Sequence, residues 1–512
     1  MPVNALEVFR ERLRETLGRT RAVRVSEPVF DSMPVEQALS QRLNRPLSEI
    51  RQQWGFERLR GGQGEAVEQL LRGRDVLVVM PTGAGKSLIY QLASQCYPGL
   101  TVVVSPLIAL MSDQLRSLAR RGVAAVGLDS HHTPQENKAA LERVVAGQAR
   151  LLYLAPERLR QTSLIEALQK VKVSLFVVDE AHCITHWGRD FRPDYLSLAK
   201  SVQAFGRPPV IALTATATPR AQKEIVELLE LREPFIKVTG FDRPNLRFAC
   251  LPIACEHKAG VLLGMLKQWK GPALIYTGTR KSTEELSHKL RAEVRCPVLH
   301  YHAGLSPLER QKALHAFTTL PDLVMVATNA FGMGVDRPDL SLVLHHSLPG
   351  SLEAYYQEAG RGGRAGQDAA AIMLYDRSDR QLHDYFIRES CYTLNDYQSL
   401  WLRVTEGRYI PMQHYRVGMD QFEREGLVSH FQGRWVVHKD FVPALQLKLV
   451  KVSDEIRAAR VAQLEQMIAY AECHTCRRQR LVSHFGQNLN GVRQPCCDNC
   501  PESKAWLKRW LT

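Results

Sequence analysis

Residues 81–87 read PTGAGKS and follow the apolar run DVLVVM. Backbone N–H groups of a glycine-rich turn entering a helix point inward together, which makes a nest for phosphate oxygens. Thr82, Gly83 and Gly85 belong to that nest, Lys86 reaches the β- and γ-phosphates, and the Ser87 hydroxyl ligates Mg²⁺. The general phosphate-loop pattern wants glycine where this chain has Met80, yet TGAGKS directly after an apolar strand keeps each physical element. A bound triphosphate also needs a metal anchor and a base. Asp179 and Glu180 stand at the exit of SLFVV, Asp179 as a carboxylate that meets Mg²⁺ directly or through its bound water, and Glu180 to polarise the attacking water. Two acids behind a buried strand are poor fold stabilisers, so a positive group is expected beside them.

A different kind of group comes from residues 357–366, QEAGRGGRAG. Arg361 and Arg364 are three apart, on one face if helical, among glycines that permit close backbone approach. Arginines brought in from a second lobe stabilise charge developing on the γ-phosphoryl, which ties hydrolysis to closure of the lobes. TATAT at 214–218 and ATNAFGMGVD at 327–336, with Asp336 counted in the nucleotide-binding set, are candidates to line the cleft; a Thr-rich strand end also reads as a plain turn.

Cysteines form a second centre. CHTC at 473–476 and CDNC at 497–500 are two C-x2-C pairs separated by twenty residues. Four thiolates at that spacing, Cys473, Cys476, Cys497 and Cys500, meet the tetrahedral demand of Zn²⁺, and the Arg-rich stretch between them could not fold as a core alone. A redox pair is the rival reading of any single C-x2-C. Cys496 is adjacent to Cys497; the choice of Cys497 rests on its spacing to Cys500. The other six cysteines are scattered and read as inert core thiols.

These groups need elements to hold them. DVLVVM, TVVVSP, RLLYLAP, SLFVVDE and PVIALTAT are short apolar strands separated by helix-sized amphipathic segments, the mark of a mostly parallel α/β sheet. After a polar joint, FDRPNL at 241–246, the rhythm returns with ALIYT, PVLHY, LVMVATN, SLVLHHSL and AIMLY. The simplest account is two α/β lobes in tandem, over 46–235 and 236–380, after an unassigned extension 1–45 with a helix near 5–17. From 390 to 450 small helices, one near 413–425, precede LVSHF, a QG turn and RWVVH, which suits a hairpin. Helices followed by a hairpin resemble a winged helix; a helical domain with no DNA contact is the alternative. A helix over 453–472 then leads into a cysteine module at 453–505.

Lys plus Arg is 67 against 53 for Asp plus Glu, a net charge of +14, which favours a polyanionic partner. No apolar run reaches about 18 residues, and the first thirty residues are too charged for a secretory signal, so a cytoplasmic protein is expected.

The motifs together resemble superfamily 2 helicases and, within them, the RecQ family of DNA helicases. The likeness rests on WGFERLRGGQ, MPTGAGKS, SPLIALMSDQ, LAPERL, the block 177–195, LTATAT, FDRPNL, ATNAFGMGVD and QEAGRGGRAG, in the family's order. DEAHCI followed by WG and DFRP is its most specific part. The resemblance implies two RecA-like lobes, Phe56 stacking on adenine, Arg60 supporting it and Gln63 reading the base edge; from the residues alone Phe56 is a core aromatic. It also implies an aromatic-rich loop that senses single-stranded DNA through His182, Trp187, Asp190, Phe191 and Arg192, where aromatics give bases a stacking face. Arg189 stands where the family has histidine, and CRRQRLVSHFGQ resembles the family's zinc segment although three cysteines two apart are missing. The candidate winged helix precedes the cysteines, a departure from the common order; Arg434 and Trp435 at the hairpin tip are candidates for duplex contact, with a simple hairpin cap as the alternative. No small helical nucleic-acid-binding tail is expected.

The expected function is an ATP-dependent DNA helicase that uses ATP, Mg²⁺ and Zn²⁺, moves 3′ to 5′ on single-stranded DNA and unwinds tailed or branched duplex. A monomer is expected, with single-stranded DNA-binding protein a candidate partner. The rivals are a translocase that does not unwind, a catalytically silent DNA-binding scaffold, and an RNA helicase.

Overall fold

The computed structural model describes residues 32–501 apart from 82, 130–132, 186–192, 333–336, 432–433 and 490–495. Thr82, Trp187, Asp190, Phe191, Arg192, Asp336 and the helix expected near 5–17 therefore lie outside the described residues.

Seven strands form the first sheet: β1 (Val76–Val79), β2 (Leu100–Val104), β3 (Ala125–Leu128), β4 (Leu151–Leu154), β5 (Val173–Val178), β6 (Val210–Thr214) and β7 (Phe235–Val238). They pair in parallel in the order β3-β4-β2-β5-β6-β1-β7. β1, β2, β4, β5 and β6 are buried along their whole length, as expected of strands with helices on both faces. β6 separates β1 from β5, which sets the phosphate loop and the paired acids about 10 Å apart at two strand spacings. Both open at the carboxyl ends of parallel strands, where ligands bind in such sheets.

The second sheet comprises β8 (Leu246–Pro252), β9 (Ala273–Tyr276), β10 (Val298–Tyr301), β11 (Val324–Ala327), β12 (Leu342–His345) and β13 (Ala369–Tyr375). Its order is β10-β11-β9-β12-β13-β8, again parallel throughout.

Beyond this lobe, helices Leu394–Thr405 and Met412–Arg424 precede an antiparallel hairpin of β14 (Val428–Phe431) and β15 (Arg434–Val437). They enclose their own core around Tyr397, Leu400, Met419, Phe422 and Phe441. Tyr397 donates to Gln421 Oε1 at 2.6 Å and its hydroxyl lies 2.8 Å from Ser453 Oγ, which fastens the module to the next helix. That helix, Pro443–Ala471, is 29 residues long and runs straight through the joint expected at 450–453. Trp435 is partly buried against the module core with His430 beside it, whereas Arg434 is exposed.

The cysteine module is built onto the second lobe. Phe248 of β8 donates to Cys496 O at 3.2 Å, and Asp498 N donates to Phe248 O at 3.1 Å, so the last cysteines cover the sheet's open edge. One continuous buried cluster joins β2 and β5 of the first lobe, β8 and β13 of the second, and Met467, Tyr470, Phe485 and Cys497 of the module. Among the described residues no helix is long and apolar enough to cross a membrane.

Candidate active site and zinc centre

Lys86 opens the helix Lys86–Cys96 straight after the glycine turn, with Ser87 beside it in the first helical turn. Its Nζ donates to Met80 O at 3.0 Å and Pro81 O at 3.5 Å, across the mouth of the loop that would hold the phosphates. Gly83 and Gly85 have φ of +83° and +78°, a region that side-chain-bearing residues rarely adopt. At Gly85 a β-carbon would also lie 2.4 Å from Gln63 Nε2. Gln63 is buried and donates to Ala84 O at 2.9 Å and Gly85 O at 3.2 Å, so here its amide braces the phosphate loop. Phe56 is half-buried against the first-lobe core, and Arg60 is exposed. A residue the motif pattern did not flag supports them: buried Glu36 accepts Leu59 N at 2.9 Å and Arg51 Nε at 3.0 Å, tying the Phe56–Gln63 stretch to the helix Met33–Leu43.

Asp179 and Glu180 follow β5 and are both buried. Glu180 sits at φ 47°, ψ 48°, a left-handed backbone that costs a non-glycine residue about 1–3 kcal/mol. Its N–H donates to Asp179 Oδ1 at 3.0 Å, and Tyr195 donates to Asp179 O at 3.1 Å. His182 Nδ1 lies 2.9 Å from Thr214 Oγ1 and 3.3 Å from Glu180 Oε2, which links the acid pair to the end of β6. The positive neighbour expected beside the acids is Lys86: burial lowers its pKa, Glu180 and Asp179 raise it, and Arg364 opposes them. Burial, then Glu180, pushes the Asp179 carboxyl up to about 7, against the pull of Lys86. The hydroxyl of Ser87 and the carboxylate of Asp179 are hard oxygen donors that suit Mg²⁺.

This shift has a measurable sign. Between the ordinary value of 3.8 and about 7, the folded chain holds a proton that the unfolded chain releases, so stability falls as pH rises through that window. Asp179→Asn removes the penalty. It is expected to raise the Tm of the nucleotide-free chain more at pH 8 than at pH 5, by calorimetry; an equal increment at both pH values would contradict the shift.

The helix Leu352–Ala359 ends before the arginines, so Arg361 and Arg364 do not share a helical face as their spacing suggested. They stand instead on a glycine-rich turn and diverge. A β-carbon at Gly83 would lie 3.7 Å from Arg364 Cδ, so Arg364 crosses from the second lobe onto the phosphate loop. Arg361 is buried, and its Nη2 would lie 3.3 Å from a β-carbon at Gly332, within its own lobe.

The thiols of Cys476, Cys496, Cys497 and Cys500 lie within 4.8 Å of one another. Cys476–Cys496, Cys496–Cys500, Cys497–Cys500 and Cys476–Cys500 separations are 3.4, 3.5, 3.4 and 3.9 Å. A tetrahedron of sulfurs at the Zn–S length has edges of about 3.8 Å, so this donor set fits Zn²⁺. The expected ligand Cys473 is thereby corrected to Cys496. Cys473 Sγ instead donates to Thr475 O at 3.7 Å and accepts from Arg477 Nη1 at 3.6 Å. A bend at Cys496 turns two adjacent sulfurs into one site, which spacing rules for separated ligands do not anticipate. Of the scattered thiols, burial pushes Cys96 to about 11 and Cys250 to about 12, while Cys255 is exposed.

Comparison with known proteins agrees with this arrangement. The DEAD/DEAH box helicase family matches residues 60–225, the helicase conserved C-terminal domain residues 257–366, and the RecQ zinc-binding family residues 438–501. The chain is 34% identical to the probable ATP-dependent DNA helicase RecS of Bacillus subtilis, over 87% of this chain and 90% of that protein. It is 34% identical to the ATP-dependent DNA helicase RecQ of Synechocystis, over 88% and 97%. RecQ of Pasteurella multocida is 37% identical over 87% of this chain, which spans 60% of that longer protein. Among solved structures, the DEAD-box helicase Mss116 bound to single-stranded RNA and UDP-BeF superposes with a TM-score of 0.58 at 15% identity, covering 86% of this chain and 94% of that one. The helicase MrfA bound to DNA gives 0.55 at 17% identity, over 82% and 64%, so both likenesses are of fold. With two RecA-like lobes, a phosphate loop facing paired acids and a four-thiolate module, the chain belongs to the RecQ family of ATP-dependent DNA helicases.

Proposed function

We propose that the chain moves 3′ to 5′ along single-stranded DNA and unwinds tailed or branched duplex, with Glu180 as the base for ATP hydrolysis and Arg361 and Arg364 answering charge on the γ-phosphoryl. Support comes chiefly from one observation: Arg364 of the second lobe reaches Gly83, in the loop that also carries Lys86. Ser87 and Asp179 would hold Mg²⁺, which would supply neutralisation of the phosphate charge. Lys86 binds the phosphates and leaves its carbonyl partners to do so. His182, touching both Glu180 and Thr214, is suited to relay occupancy of the loop that follows it to the hydrolytic base. That loop, with Trp187, Asp190, Phe191 and Arg192, is the DNA sensor in this scheme. Phe56 and Arg60 hold the adenine, with Gln63 exchanging its loop contacts for the base edge when nucleotide enters. Asp336 completes the nucleotide set, and the module of 390–450 serves as a winged helix with Arg434 at its tip.

Strand separation on matched DNA and RNA duplexes with 3′, 5′ or no overhang, read beside ATP turnover, tests this reading. Unwinding confined to 3′-tailed DNA is expected, and it should weaken steeply with salt because backbone phosphates dominate the contacts. Turnover without separated strands would favour a translocase, and preference for a 5′ tail would reverse the assigned direction.

A further inference from the structure

The joint between the lobes does more than connect them. Arg243 donates from Nη1 to Gly360 O at 3.1 Å and from Nη2 to Gly362 O at 2.8 Å and Gly363 O at 3.1 Å. Asn245 Nδ2 donates to Gly363 O and Gln367 O, both at 2.7 Å. Four carbonyls of the loop bearing Arg361 and Arg364 are thus held by two side chains of the FDRPNL segment. The loop needs such holding. It follows the end of the helix Leu352–Ala359, where carbonyls have no helical partner, and its glycines lose more conformational freedom on ordering than other residues. Gly363, at φ +67°, leaves no room for a side chain, since a β-carbon there would lie 2.4 Å from Asn245 Nδ2.

The segment is itself gripped from the other side. Phe241 stacks on Phe485 of the zinc module, with ring centroids 4.3 Å apart and planes 12° apart. Phe241 N donates to Gln487 Oε1 at 2.8 Å, Tyr356 donates to Phe241 O at 2.8 Å, and both carboxylate oxygens of Asp242 accept from Arg478. A chain segment fixed on one face by the zinc module can therefore present Arg243 and Asn245 to the arginine loop as a rigid fork.

We propose that Arg243 and Asn245 are positioning residues for ATP hydrolysis: they clamp the carbonyls of residues 360–367 so that Arg361 and Arg364 are presented in the geometry that answers the phosphoryl charge. The inference rests on the reading that those two arginines act on the triphosphate. Neither Arg243 nor Asn245 is asked to touch nucleotide.

Three substitutions test it in the full chain: Arg243→Ala, Arg243→Lys, which keeps charge but loses the fork, and Asn245→Asp, which is isosteric but replaces the donor by an acceptor. Fluorescent non-hydrolysable nucleotide gives Kd, DNA-stimulated turnover gives kcat, and zinc content and Tm report the fold. Arg243→Ala is expected to lower kcat on the order of 10²-fold with Kd changed by less than about threefold, Arg243→Lys to fall between it and the unaltered chain, and Asn245→Asp to lower kcat likewise. Combined with Arg364→Ala, Arg243→Ala should cost less than the product of the two single effects, because it acts in part through Arg364. If Arg364→Ala lowers turnover but Arg243→Ala and Asn245→Asp keep it at unchanged Tm, or if the double variant loses the product of the single effects, the positioning role is overturned. Full turnover in Arg364→Ala would instead overturn the reading beneath it.

Discussion

Replacing Glu180 by glutamine is expected to lower DNA-stimulated ATP turnover by about 10²–10⁴-fold while nucleotide affinity stays near that of the unaltered chain. Glutamine keeps the size of the side chain and an oxygen for His182, 3.3 Å from Glu180 Oε2, but cannot accept a proton from water. The backbone at this position is already in a left-handed conformation, which the end of β5 and the following turn impose on either residue. The substitution therefore separates base chemistry from placement. Kd should be measured with a non-hydrolysable analogue and kcat by phosphate release, each with and without single-stranded DNA. A fall in kcat at constant Kd is the signature of a group needed only in the transition state. Strand separation should disappear in proportion to turnover. If the glutamine variant hydrolyses ATP at the original rate, Glu180 is not the base; if affinity collapses as well, the carboxylate is holding the loop rather than the water.

Much of this site was legible because its chemistry is local in the chain. A phosphate nest needs consecutive residues, and a strand followed by paired acids announces both the sheet and its ligand end. Strands β1, β2, β4, β5 and β6 are predominantly apolar and buried along their whole length because both faces are covered. The strands that pattern reading passed over break that rule. β3 is AVGL, poor in β-branched residues, and β7 is an edge strand with Ile236 exposed and its other residues only partly buried. β8 begins on the joint, where FDRPNL reads as a turn.

What could not be read was the part decided by distant partners. Arg361 and Arg364 look like a helical pair until the helix is seen to stop at Ala359, and nothing near Arg243 in sequence shows that it binds carbonyls about 120 residues away. The fused core of both lobes and the zinc module is equally invisible to periodicity, because it is assembled from Tyr355, Met467 and Phe485, each of which satisfies its own helix or turn pattern. The long helix Pro443–Ala471 hides the boundary placed at 450–453 because it is buried by the hairpin module at one end and by the second lobe at the other.

Cysteine identity supplies the second large expected effect. Cys496→Ser should abolish stoichiometric zinc in the purified chain, whereas Cys473→Ser should retain about one zinc per chain. The difference follows from geometry: Cys496 Sγ is 3.4 Å from that of Cys476 and 3.5 Å from that of Cys500, while Cys473 spends its sulfur on Thr475 O and Arg477. Loss of metal should spread. Cys497 bridges to Phe248, and Asp498 holds both Cys250 N at 2.8 Å and Arg477 Nε at 2.5 Å, so the thiolate loop fastens the module to the open edge of β8. Structural zinc contributes about 10–16 kcal/mol to folding of small modules, comparable to the whole stability of a typical domain at about 5–15 kcal/mol. Undocking of the C-terminal region, seen as new proteolytic cleavage and a lowered Tm, is therefore expected for Cys496→Ser and not for Cys473→Ser. Metal analysis that shows zinc retained in Cys496→Ser and lost in Cys473→Ser would return the site to its two C-x2-C pairs. The adjacent sulfurs would then have to separate, which requires the bend at Cys496 to open and its carbonyl to leave Phe248.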